Sequence, residues 1–152
     1  DNIDDLTKDN FKYYSYAMLG EHTWLWVEER YSEAIEVYKR YLDKVKKYLG
    51  DNSMEYVEGL KSLTVDYRLV GKYSDAIASG EEAVKIIENL YNNDQSLLYK
   101  DTIYYEVCNA LYNVYGIITD KRNKYKYNCI LLDILKSENK TDSDEYHKQL
   151  IY

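Results

Sequence analysis

Proline is absent from these 152 residues, so nothing in the chain is obliged to break a helix for want of an N–H. Glycine is scarce, and Gly20, Gly50, Gly59, Gly71, Gly80 and Gly116 stand singly, which excludes a glycine-rich phosphate loop. The only histidines, His22 and His147, are far apart and lack a Ser or Cys in any arrangement that would activate a nucleophile. Cys108 and Cys129 form no metal or redox spacing. They are read as free thiols, with a disulfide between adjacent antiparallel helices left open. No run approaches the ~18 apolar residues that would span a bilayer, and alternation of period two is sparse, so strands have little support. An excess of base is missing too. Twenty-seven acids against 20 bases give a formal charge of −7, and repulsion from phosphate argues against nucleic-acid binding. No signal-peptide pattern is found, but the chain opens at Asp1, so a targeting segment is left undecided and a cytoplasmic location is the expectation.

What the chain does hold is tyrosine, 20 residues of it, and helical periodicity. Between Ser53 and Asn92, Tyr56, Leu60, Leu63, Thr64, Tyr67 and Val70 recur at spacings of three and four, which puts them on one helix face. Ala76, Gly80, Ala83, Val84, Ile87 and Tyr91 do the same on a second helix. Small residues at Ala76, Gly80 and Ala83 predict a close approach of the two axes, and Gly71 is placed to take the left-handed conformation between them. A lone hairpin cannot bury both of its faces. The sequence supplies neighbours by near-repetition: Tyr31-Ser32-Glu33-Ala34-Ile35 stands 42 residues before Tyr73-Ser74-Asp75-Ala76-Ile77. Downstream, Cys108, Leu111 and Tyr115 repeat Leu60, Leu63 and Tyr67 at an offset of 48, which implies about six extra residues around Gln95–Lys100.

The pattern Leu60-x-x-Leu63-Thr64-x-x-Tyr67-x-x-x-Gly71-x-Tyr73-x-x-Ala76, with Ala83 seven residues on, resembles a tetratricopeptide repeat. The longer period and the Leu49-Gly50-Asp51 start of the next unit resemble the 42-residue subtype of kinesin light chains and of bacterial repeat arrays, some of them linked to CHAT peptidases. The resemblance covers residues 31–92 well and 96–137 in part. Tyr112 replaces the small residue of the first helix, and Thr119 replaces the turn glycine ahead of Asp120-Lys121-Arg122-Asn123-Lys124. A longer turn and a distorted third unit are therefore expected. The resemblance implies an all-α, right-handed α-solenoid of about three antiparallel helical hairpins plus a short terminal helix. Residues 1–10 read as a leader or linker and 11–152 as the repeat domain.

Along the chain, Phe11–Glu28 reads as a helix of ambiguous register. Counting back from Tyr31 puts Glu21 and His22 where a leucine and a small residue belong; counting from Leu19-Gly20 fits better but demands two extra residues before the turn. Its aromatic cluster, Tyr13, Tyr14, Tyr16, Trp24 and Trp26, is expected to be mostly core. Trp24 and Trp26 are about 200° apart round a helix, so one of them should be exposed or cover a junction. A helix at Tyr31–Leu49 follows, then the central pair, a fifth from Ser96 or Thr102 to Ile118, and a sixth from Asn123 to Lys136. A last short helix after Thr141, with Tyr146, Leu150 and Ile151 on one side, is expected to cap the apolar residues of the sixth.

Adjacent acids such as Glu28-Glu29 and Glu81-Glu82 point to different sides of a helix and read as solvated charges, and Asp142, Asp144 and Glu145 lack the spacing of a calcium loop. No catalytic residue, metal site or cofactor is expected. The resemblance implies instead a protein–protein interaction scaffold that holds a peptide or partner helix in a concave groove. Mapped residue by residue, the groove positions are Lys61, Val65 and Arg68, then Asn109 and Asn113. Lysine or arginine would grip a carboxylate and asparagine a peptide backbone, so the partner is expected to be acidic. Three other readings stay open: a sensory or autoinhibitory module of a larger enzyme, self-assembly through apolar ends, and a hidden all-α enzyme. The last is tested by whether a pocket brings His22 or His147 near a carboxylate.

Overall fold

A computed structural model describes residues 10–141 and 143–150. Eight helices follow one another: α1 (Phe11–Val27), α2 (Tyr31–Tyr48), α3 (Met54–Leu69), α4 (Tyr73–Leu90), α5 (Gln95–Leu98), α6 (Thr102–Ile117), α7 (Lys121–Ser137) and α8 (Asp144–Leu150). No strand is found among the described residues, and no described helix is long and apolar enough to cross a membrane. Residues 1–9, most of the expected leader, and Ile151 lie outside the described residues. Helices α1–α2, α3–α4 and α6–α7 pair as hairpins, and the hairpins stack through α2 on α3, α4 on α6 and α3 on α6, with α8 against α7. The result is an all-α open stack in which each element packs mainly on its neighbours in the sequence.

The three hairpin turns are copies of one another. Each has three residues, with the middle one at positive φ: Glu29 at 58°, Gly71 at 75° and Thr119 at 59°. Each is closed by the same backbone bond, from Arg30 N–H to the Leu25 carbonyl (2.9 Å), Lys72 to Tyr67 (2.8 Å) and Asp120 to Tyr115 (3.0 Å). Two expectations change as a result. The register of α1 is the one counted back from Tyr31, so Glu21 and His22 do occupy the core-equivalent positions. The third turn is not longer: α7 begins at Lys121, because the Asp120 carboxylate accepts the Asn123 N–H at 3.0 Å and caps the helix there. Ser53 and Asp101 cap α3 and α6 in the same way. The six extra residues before α6 form the single turn α5, which buries Leu98.

The core runs unbroken along the stack, with Val45, Val57, Ala76, Ala83, Ile87, Val107, Leu111, Val114 and Leu131 all fully buried. Each large side chain among them contributes roughly 1.5–3 kcal/mol over its exposed state. The close approach at Gly80 is real: a Cβ there would stand 2.7 Å from Leu111 Cδ2 and 3.2 Å from Thr64 Cγ2. Gly59 does the same between hairpins, 2.5 Å from Leu42 Cδ2. The expectation for the aromatics of α1 is corrected. Only Tyr14 is half-buried, while Tyr13, Tyr16, Trp24 and Trp26 are 64%, 68%, 56% and 42% exposed, and no described helix covers the side of α1 that holds Tyr13, Tyr16 and Trp24. The cap is corrected in detail as well. Helix α8 covers α7 with Gln149, while Leu150 stays 55% exposed.

Candidate functional site

The first helices of the three hairpins line up side by side, and their polar side chains join across the seams. Lys61 on α3 donates to Glu106 on α6 at 2.6 Å. His22 Nε2 on α1 lies 2.8 Å from Asp66 Oδ2 on α3, with the histidine 12% and the aspartate 1% exposed. This row of α1, α3 and α6 is where the groove positions fall. Lys61, Val65, Arg68 and Asn109 are half-buried and Asn113 is exposed. Not all of them are free to meet a ligand. Lys61 is held by Glu106, and Asn113 Nδ2 donates to the Asn109 carbonyl at 2.8 Å, which leaves its side-chain oxygen outward. Arg68 carries no ion-pair partner among the described residues, so it is the cation this surface presents.

The His22–Asp66 pair places a histidine beside a carboxylate, the arrangement set as the test for hidden catalysis. Its setting is a helix interface rather than a pocket. The imidazole lies edge-on against the Tyr38 ring, 4.1 Å between centroids. His147, on α8, is exposed. Among the described residues no three of His, Cys, Asp and Glu converge as metal ligands. Both cysteines are free: Cys108 is buried, which pushes its thiol up to about 12, and Cys129 is half-buried on α7.

Tyrosine hydroxyls find carboxylates throughout. Glu82 accepts from Tyr56 at 3.4 Å, Glu81 from Tyr115 at 2.8 Å, Glu88 from Tyr104 at 3.2 Å, and Asp101 from Tyr91 at 2.7 Å. Glu81 and Glu82 are thus more than solvated charges, since each ties α4 to a different neighbour. The phenol ring fills the core and its hydroxyl reaches the acid at the rim. The sequence reading missed one cleft of about 570 Å³ among α6, α7 and α8. Its lining includes Tyr99, Tyr105, Asp101, Glu106, Glu138 and Glu145, drawn from segments far apart in the chain. Its four acids outnumber its one lysine, Lys140, which disfavours an acidic ligand, and only proximity in space could have revealed it. No family model matches the chain, and no match is found among curated proteins.

Proposed function

We propose that the chain is a non-catalytic interaction module of the tetratricopeptide kind, which holds a peptide or partner helix along the surface of α3 and α6. The observation that supports this reading is the packing of α3 on α6, with Val65, Arg68 and Asn109 partly exposed and Asn113 exposed on those helices. Val65 offers apolar contact, Asn113 an acceptor for a backbone N–H, and Arg68 two donors in a fork that suits a carboxylate. Lys61 plays a secondary part. Its charge is offset by Glu106, and an exposed pair of this kind is worth under about 1 kcal/mol, so an incoming acid can displace it.

The test is affinity capture on the immobilised chain, followed by binding measurements with the recovered partner. Arg68→Glu should weaken that partner at least tenfold and Asn113→Ala several-fold, with Lys121→Glu on the far helix as the unaffected control. Indifference to Arg68→Glu would remove the groove from consideration.

A further inference from the structure

We infer that α1 is a self-pairing helix, and that two copies of this chain associate through antiparallel contact of its exposed face. That face is a stripe of Tyr13, Tyr16, Ala17, Gly20, Trp24 and Val27, spaced by threes and fours and confined to about 100° of the helix surface. All six are exposed, and none carries a charge. The side of α1 opposite the stripe holds the buried Phe11 and Leu25, so the helix is apolar on both sides.

The other first helices show that this is not simply how a first helix looks here. At the place of Tyr16, α3 has Glu58 and α6 has Glu106, both exposed acids. At the place of Trp24 they have Asp66 and Val114, each buried in the stack. Helix α1 alone carries a seam at the spacing that a partner helix requires.

The occupant is a second copy because the stripe is symmetrical about Gly20. Tyr16 and Trp24 lie four residues to either side, and Tyr13 and Val27 seven. A two-fold axis through Gly20 therefore sets Tyr16 against the partner's Trp24 and Tyr13 against the partner's Val27, with glycine on glycine at the crossing. Such self-complementarity is what an isologous contact needs. Nothing lies within 4 Å of a Cβ built on Gly20, so the two backbones can approach closely there. Six large aromatics per pair bury on the order of 1,000 Å², the lower end of specific interfaces, so a weak dimer is expected. This surface is separate from the groove of α3 and α6, and either reading can fail alone.

Sedimentation equilibrium of the 152-residue chain tests it. The mass should rise with concentration toward twice the monomer, with a dissociation constant in the micromolar range. Trp24→Lys should weaken association at least tenfold, with circular dichroism unchanged. Gly20→Leu should weaken association as well, yet raise the melting temperature of the monomer, because it adds a helix former at an open position. In a Cys129→Ser background, Tyr13→Cys and Val27→Cys chains should cross-link to each other and neither to itself. A chain that stays monomeric at millimolar concentration, an association indifferent to both α1 variants, or cross-links of like with like would overturn the inference.

Discussion

The first and central hairpins meet the same packing problem with opposite side chains. In α3–α4 the facing positions are Thr64 and Gly80, and the helices close until Leu111 of the next hairpin fills the remaining space. The equivalent positions in α1–α2 are His22 and Tyr38, two rings set edge to face, with the imidazole reaching on to a carboxylate buried in the second hairpin. The third hairpin has Tyr112 and Asn128 there. Asn128 Nδ2 donates to the Gln149 carbonyl at 3.0 Å, while Asn128 Oδ1 and Gln149 Oε1 stay buried without a partner among the described residues. Small residues make the middle tight, and polar groups make the ends specific. The repeat therefore conserves the path of the backbone while allowing each interface its own chemistry.

The largest expected effect breaks the first hairpin's solution. His22→Ala strands the Asp66 carboxylate and should cost about 3 kcal/mol in urea unfolding. Adding Asp66→Val, after the Val114 that stands at the same place in α6, should recover most of that loss. A double variant no better than the single one would show that the pair is not what joins these hairpins. The central hairpin should fail by overpacking instead: Gly80→Val is expected to cost about 2–3 kcal/mol, whereas Gly20→Ala on the open face of α1 should stabilise by about 0.5–1 kcal/mol.

Alkaline pH should unsettle the hairpins on either side of the central one, where the most deeply buried tyrosines lie. Burial pushes the hydroxyls of Tyr38, Tyr41, Tyr104, Tyr115 and Tyr127 upward and the Cys108 thiol to about 12. The unfolded chain releases these protons at ordinary values and the folded one holds them longer. The stability they confer is therefore complete below the unfolded values and lost as pH rises through the folded ones. Melting temperature should fall above about pH 9, and tyrosinate absorbance should appear in two steps, the second coinciding with unfolding. A single smooth titration of all tyrosines would contradict the burial.

A further effect is a backbone one. Thr119 is a β-branched residue at φ 59°, so Thr119→Gly should stabilise by about 1 kcal/mol and Gly71→Thr should destabilise by at least as much. Equal and opposite shifts would confirm that the two turns are interchangeable.

The central hairpin was readable residue by residue, from Leu60, Leu63 and Tyr67 to Ala76, Ala83 and Ile87, because helical period and a glycine in the turn are local signals. Thr119 misled because threonine rarely takes positive φ; here the closing bond from Asp120 and the packing on either side outweigh that preference. The exposure of Trp24 was open in the sequence, since a large aromatic at helical spacing reads the same whether or not a neighbour covers it. Of the groove residues, Lys61 read as available until Glu106, 45 positions away, proved to hold it.

By itself the sequence determined that this chain is helical, where its hairpins lie, and which faces they turn inward, because period, small residues and turn chemistry act within a few residues. Tertiary structure alone decided which charges are spent on one another and which aromatics face water. Both depend on contacts between positions some 20 to 45 residues apart, whose cost or gain exists only once the helices are stacked.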